Sequence, residues 1–186
     1  GSSCKSEYEA LLQGHDVAAK YDAAFAYFDA GKYSKSIQLF ESLKLEAKGT
    51  AQDDTVQYYP GLANYRWGDV VTAETCFDSF IKTFPLGPFS DRANYYYVDC
   101  LYQQTLRYEL DQTPTYKAMD YIQEYIKRHP TTEYKEEFQG MLDELNERLD
   151  KKALEGAKIY YHTEDYKAAQ YAFKNVLKED ASNIYR

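Results

Sequence analysis

The amino-acid sequence predicts an all-α fold, a tetratricopeptide-like solenoid of stacked helical hairpins. Three observations predict it. Apolar residues recur at i, i+3, i+4 and i+7 almost throughout the chain, which is the spacing of amphipathic helices. Glycine and proline stand at the ends of these segments, where helices stop and start. A pattern of small and large residues also repeats along the chain, which is the signature of a solenoid.

Tyrosine supplies much of the apolar surface. The 186 residues include 21 Tyr and 9 Phe, and 44% of the sequence is apolar. Large rings packed against alanine can fill a core that holds few aliphatic residues. No apolar run approaches the roughly 18 residues that cross a bilayer, so no spanning helix is predicted.

Each predicted unit is a helical hairpin. In the second helix a small residue comes about three places after the turn, and large residues follow four and seven places later. The small residues of the four second helices are Ser36, Ala73, Ala118 and Ala169, and those of three first helices are Ala24, Gly61 and Ala157. These small side chains let the two helices of a hairpin approach, while rings fill the space between hairpins. The segment from Leu45 to Thr55 is predicted to be a loop.

The two ends of the chain differ from the repeats. Residues 1–15 are predicted to be a lipoprotein N-terminus and short tether, and residues 16–186 the solenoid of about four repeats. Cys4 follows two serines, as at the cleavage point of a bacterial lipoprotein signal peptide, so we expect it to carry lipid. The alternative is a stray exposed thiol. The last residues resemble a linker that opens a new unit, so a further repeat is expected beyond Arg186.

The sequence predicts no catalytic residue, no metal site, no cofactor and hence no enzymatic activity. The histidines His15, His129 and His162 are dispersed, and no phosphate loop or nucleophile elbow is present. Cys76 and Cys100 lie in helical patterns and are predicted to be small buried side chains. The net charge of −8, without a basic cluster, excludes nucleic acid as a partner.

The candidate site is a surface on the first helices of the first two units. Its apolar residues are Tyr21, Phe25, Phe28, Tyr58, Leu62 and Tyr65. For each ring alone, a place in the core remains the alternative. As a group they would form a groove with apolar pockets for an extended or helical peptide.

Three features together are similar to a known family. The linker 84–90 has the pattern aromatic-Pro-x-Gly-Pro-aromatic-Ser, an Arg-Leu-Asp-Lys stretch begins at Arg148, and Cys4 precedes the first repeat. With these features the sequence resembles the BamD-like lipoproteins of the outer-membrane β-barrel assembly machine. The resemblance covers nearly the whole chain.

The resemblance implies a periplasm-facing protein that acylated Cys4 anchors to the inner leaflet of the outer membrane, with the lipid as its only membrane contact. The N-terminal repeats would receive unfolded outer-membrane proteins. The C-terminal repeats would dock the barrel subunit through its periplasmic domains. Two alternatives stay open: another periplasmic repeat lipoprotein that coordinates the envelope or cell-wall enzymes, and the regulatory part of an enzyme whose catalytic domain lies beyond Arg186.

Overall fold

The computed structural model of the chain describes residues 2–107 and 111–161. Within these ranges the regular secondary structure is entirely helical. The helices are, in chain order, α1 (Ser2–Gln13), α2 (Val17–Asp29), α3 (Tyr33–Ser42), α4 (Lys44–Ala47), α5 (Asp53–Trp67), α6 (Val70–Thr83), α7 (Ser90–Arg107), α8 (Thr113–Arg128) and α9 (Lys135–Tyr161). The predicted all-α fold is therefore confirmed. The predicted fourth unit around Ala169 lies outside the described residues.

The chain forms two compact units, residues 1–118 and 119–186. In the first unit α2 and α3 form one hairpin and α5 and α6 form the next, with α3 packed on α5 and α6 on α7. Gly31 and Gly68 form the hairpin turns, with φ angles of 75° and 94° that disfavour a side chain. Both turns were predicted from the sequence.

Small residues bring the helices of each hairpin together. In the first hairpin Ala24 and Ser36 are fully buried, and the Ser36 hydroxyl donates a hydrogen bond to the Ala24 carbonyl over 2.8 Å. In the second hairpin Gly61 lies against the ring of Phe77, so that a Cβ on Gly61 would come within 3.0 Å of it. Ala73 is fully buried as well.

Two segments are more regular than the sequence analysis predicted. The predicted loop at 45–55 is reduced to residues 48–52, because α4 includes Leu45 and α5 begins at Asp53. The expected tether contains α1, whose Tyr8 is 7% exposed and packs edge-on against Tyr27 with 5.6 Å between ring centroids. Tyr8, Leu11 and Leu12 have helical spacing, so α1 presents an apolar face to the first hairpin.

The described core of the second unit is formed by the C-terminal part of α8 and by α9. Ile122, Phe138 and Leu145 are fully buried, and the rings of Tyr125 and Phe138 meet edge-on at 5.6 Å. Over the described part of the chain, no helix is both long enough and apolar enough to cross a membrane.

Candidate functional site

The six predicted site residues occupy three equivalent positions in two successive repeats. Tyr21, Phe25 and Phe28 of α2 are each followed 37 residues later by a residue of α5, namely Tyr58, Leu62 and Tyr65. The repeat therefore places them on matching faces of two neighbouring first helices. Their exposure, however, differs from one helix to the other.

Three of the six lie in the core. Tyr58 is fully buried, Phe28 is 5% exposed and Leu62 is 6% exposed. Side chains with so little surface cannot line an open groove for a partner. The expectation of one groove with all six side chains must be corrected: Tyr21, Phe25 and Tyr65 are half-buried, and of these Tyr21 and Phe25 lie together on α2.

The contacts of Tyr58 show why it is buried. Its ring stacks on that of Phe89 at 4.5 Å and packs against Phe77 and Phe80. Burial is the largest cause that raises the pKa of the Tyr58 phenol well above its usual value, and the guanidinium of Arg92 beside it opposes the shift. The linker before α7 thus covers this position with an aromatic ring.

The rings of α2 join the first hairpin to the second. Phe25 lies 4.7 Å from Tyr59, 5.2 Å from Phe40 and 5.1 Å from Tyr21, all edge-on. Tyr59 also contacts Phe28, and so it is the central ring of this cluster. Tyr59 was not predicted as a site residue. Its place next to Tyr58 was the available signal, since a helix that packs on two sides needs adjacent rings.

A cleft of about 460 Å³ opens beside Tyr21, between the N-terminal ends of α2 and α5. Its volume lies within the range of small-ligand and side-chain pockets. Ten residues line it: Val17, Ala18, Tyr21, Asp22, Leu43, Glu46, Ala47, Thr50, Gln52 and Val56. The walls are mainly apolar, while two carboxylates stand at the rim and none of the lining residues is basic.

The cleft exists where the second repeat has a ring. Gln52 precedes Phe89 by 37 residues, the same separation that relates Tyr21 to Tyr58. In the second repeat Phe89 stacks on Tyr58 and closes the position. In the first repeat Gln52 lines an open cleft next to Tyr21. Gln52 was not predicted as a site residue, because a glutamine in a loop carries no apolar signal.

Tyr65 makes a polar contact between two first helices. Its hydroxyl donates a hydrogen bond to Asp99 of α7, and the same carboxylate oxygen accepts one from the Gln103 amide over 2.7 Å. Burial and the hydrogen bond to Asp99 raise the pKa of Tyr65, so the phenol remains a donor at neutral pH. Tyr65 therefore fixes α5 against α7 and lies away from the cleft.

The other cysteines and histidines considered in the sequence differ in how far their side chains are buried. Cys100 is fully buried, as predicted, and burial raises the pKa of its thiol to about 12, while Cys76 is half-buried. His15 and His129 are exposed, and His162 lies outside the described residues, as does the side chain of Cys4. Across the described ranges, no group of three or more His, Cys, Asp or Glu side chains could hold a metal ion.

Comparison with known proteins gives two matches. The YfiO family, described as an outer membrane lipoprotein, matches residues 14–184. A curated relative, the outer membrane protein assembly factor BamD of Caulobacter vibrioides (strain ATCC 19089 / CIP 103742 / CB 15), is 23% identical over 168 residues, which are 90% of this chain and 55% of the relative. The chain therefore spans about half the length of that relative. Because the family match covers nearly all of the sequence and agrees with the resemblance seen in it, the chain belongs to the YfiO family of BamD-like outer membrane lipoproteins.

Proposed function

We propose that this chain is a non-enzymatic subunit of an outer-membrane β-barrel assembly complex, a helical-repeat adaptor for the folding and insertion of outer-membrane proteins. Its membership of the YfiO family and the relative named as an assembly factor support this role. In repeat proteins, stacked hairpins form extended binding surfaces, which suit a protein that holds extended polypeptides for transfer.

The cleft beside Tyr21 is the observation on which the client site depends. Unfolded outer-membrane proteins carry alternating aromatic and polar residues, and an aromatic side chain needs an apolar pocket with an open mouth. Val17, which is 43% exposed, and the half-buried Tyr21 offer such apolar surface, while Leu43 and Val56 line the cleft with almost no exposed surface of their own. We assign it as the pocket for one apolar side chain of the client, with Phe25 extending the surface along α2.

A peptide-binding experiment tests this assignment. A peptide from the last strand of an outer-membrane protein is titrated onto the chain, and we expect a Kd of about micromolar or weaker because the peptide loses conformational entropy. Gln52→Phe places a ring in the cleft and should reduce the affinity at least tenfold. Gln123→Phe, at an exposed position of α8, makes the same change elsewhere and should leave binding unaltered.

The outcome separates a pocket from a non-specific apolar surface. If Gln52→Phe binds the peptide as tightly as the unaltered chain, the cleft is not the client pocket. If both phenylalanine variants bind more tightly, the peptide recognises exposed rings in general. Circular dichroism of each variant must show unchanged helix content.

Membrane attachment is assigned to Cys4. A thioether-linked diacylglycerol contributes about 0.8 kcal/mol per buried CH2, which suffices for stable anchoring from one residue. Expression of the lipoprotein precursor with Cys4→Ser should release the protein from the outer-membrane fraction. Sedimentation with the outer membrane despite the substitution would show that protein partners hold it there.

The second unit, residues 119–186, is assigned to the barrel subunit and its periplasmic domains. The family resemblance supports this division, since the client pocket belongs to the first unit. Co-purification from detergent-solubilised outer membrane tests it. The barrel subunit should be recovered with a variant that carries Gln52→Phe, and its loss would place the docking surface at the cleft.

A further inference from the structure

One edge of the first unit gathers the hairpin turns. The ring of Phe28 lies 4.7 Å from the guanidinium of Arg66, so the C-terminal ends of α2 and α5 lie side by side. Gly68 and Val70 share a shallow depression with Leu106 near the end of α7. The ammonium of Lys117 in α8 lies 3.2 Å from Glu74 near the start of α6. We call this end of the helices the turn edge.

The turn edge carries exposed apolar side chains that no intramolecular contact explains. Trp67 is 59% exposed, Val71 49%, Leu106 52% and Tyr116 54%. Each lies within a few residues of a turn-edge contact described above. Scattered apolar residues are normal on a protein surface. Four of the seven large apolar side chains that are exposed in the described part of the chain lie at this edge, which makes it a candidate interaction surface. Among them is the single tryptophan of the chain.

Helix α1 leads to the same edge. Tyr8 packs on Tyr27, near the end of α2, and its hydroxyl donates a hydrogen bond to the Gln38 side-chain oxygen of α3. Only residues 14–16 separate α1 from α2, yet Tyr8 contacts Tyr27, ten residues into α2, so the two helices run antiparallel and the residues before Tyr8 run towards the α2–α3 turn. At a rise of about 1.5 Å per residue, the start of α1 with Cys4 reaches the turn edge.

The charges at this edge balance, so that, unlike the rest of an acidic chain, it does not repel anionic headgroups. Lys32, Arg66 and Lys117 are exposed here in a chain whose net charge is −8. Asp29 and Asp69 are exposed at the same edge and Glu74 pairs with Lys117, so the surface is not a polybasic patch. Tryptophan and tyrosine favour the headgroup region of bilayers, where the ring is partly buried and its polar atom stays hydrated.

We propose that the turn edge lies against the lipid headgroups of the membrane, with Trp67, Val71, Leu106 and Tyr116 in the interfacial region. The inference rests on the proposed lipid anchor only for bringing the edge to the bilayer. It adds a protein surface to the lipid contact expected from the sequence. Two attachment points would fix the orientation of the first unit, and its cleft would open at the edge away from the membrane.

Trp67 makes the proposal measurable, because all tryptophan emission of the chain comes from this residue. The chain is tethered through an N-terminal hexahistidine tag to phosphatidylcholine vesicles that contain nickel-chelating lipid, with or without bromine on the acyl chains. We expect a blue shift of the Trp67 emission on tethering, and loss of intensity in the brominated vesicles. High salt should reduce the quenching only slightly, since apolar contact dominates.

Matched variants distinguish membrane contact through the turn edge from non-specific adsorption of exposed apolar side chains. Val71→Asp with Leu106→Asp should abolish the quenching while the protein stays tethered, as vesicle flotation verifies. Leu45→Asp with Leu86→Asp alters side chains that are 86% and 83% exposed at the opposite end of the helices, and should leave the quenching intact. All four residues are exposed, so circular dichroism should show unchanged helix content.

Unquenched Trp67 in the tethered, unaltered chain would overturn the proposal, and so would equal loss of quenching in both double variants. The tag replaces the lipid in this experiment. A negative result therefore counts against the turn edge alone, whereas failure of the anchor would appear only in the Cys4→Ser fractionation.

Discussion

The first two repeats place the same kind of residue at the same position and use it differently. Tyr21 of α2 and Tyr58 of α5 are 37 residues apart, yet Tyr21 is half-buried beside an open cleft and Tyr58 has no exposed surface. The difference lies in the connection to the next repeat. After the second hairpin Phe89 stacks on Tyr58, and after the first Gln52 leaves the corresponding space open.

The comparison shows that inter-repeat connections decide which ring is core and which is available to a partner. The helices themselves are nearly equivalent, because small residues and rings recur in the same register. A solenoid can thus turn a structural position into a binding position by changing one loop residue. The predictions below test this difference between the repeats, from the largest expected effect to the smallest.

Truncation of the two tyrosines should separate core from cleft most clearly. Tyr58→Ala should lower the free energy of unfolding by roughly 3–5 kcal/mol, because a fully buried ring leaves a cavity. Tyr21→Ala should cost only about 1 kcal/mol, the worth of its edge-on contact with Phe25. Urea denaturation followed by circular dichroism measures both, and equal costs would contradict the comparison.

The close approach inside the second hairpin gives the next largest effect. Gly61→Ala places a methyl group 3.0 Å from the Phe77 ring, so overpacking should cost about 1–3 kcal/mol of unfolding free energy, of which the better helix propensity of alanine restores roughly 0.5–1 kcal/mol. Ala73→Leu should cost a similar amount, since Ala73 is fully buried. The first hairpin has Ala24 at the position equivalent to Gly61. A gain in stability from Gly61→Ala would therefore show that the helices of the second hairpin pack no more closely than those of the first.

Exchange of the connection residue should convert one repeat toward the other. Phe89→Gln removes the ring that stacks on Tyr58 and should cost about 1 kcal/mol in the free energy of unfolding. It should also open a depression beside Tyr58 that binds the client peptide weakly in a chain whose own cleft is blocked by Gln52→Phe. Peptide titration of the double variant measures this binding. If the double variant does not bind the peptide, an uncovered tyrosine ring is not sufficient, and other residues of α2 must contribute to the affinity of the first repeat.

Alkaline titration gives an effect that is absent at neutral pH and develops only above pH 9.0. The folded state raises the pKa of Cys100 from 9.0 to about 12, so its neutral thiol contributes full stability below pH 9.0, and this contribution is lost as the pH rises toward 12. The buried phenol of Tyr58 acts in the same direction above pH 10.0. Cys100→Ala should reduce the slope of unfolding free energy against pH in this range, as urea denaturation at several pH values would measure.

The fold was accessible from the sequence because it depends on periodic features. The turns at Gly31 and Gly68 and the small residues Ala24, Ser36 and Ala73 were all predicted, since backbone geometry and close helix packing require those residue types. The helix at 2–13 was missed because it is amphipathic without being part of a repeat. Its apolar face becomes visible only against the surface that covers it.

The site was predicted only in part because exposure is a property of neighbours. The sequence placed Tyr21 and Tyr58 on matching faces and could not show that Phe89 covers one of them. The sequence also did not indicate Gln52 as a site residue. Its side chain is polar and smaller than the phenylalanine ring at the equivalent position of the next repeat, and it lines the cleft. Whether a ring is covered depends on the loop between two helices, and loop residues do not follow the periodic pattern from which the helices were predicted.

The central claim is that the first repeat receives the client and the second does not, and site-specific photocrosslinking tests it most directly. A benzophenone amino acid is placed at Gln52 or at Phe89, and a urea-unfolded outer-membrane β-barrel protein is diluted into a solution of each variant under ultraviolet light. The account predicts covalent adducts with the client from position 52 and none from position 89. Adducts from position 89 alone, or equal yields from both positions, would contradict it.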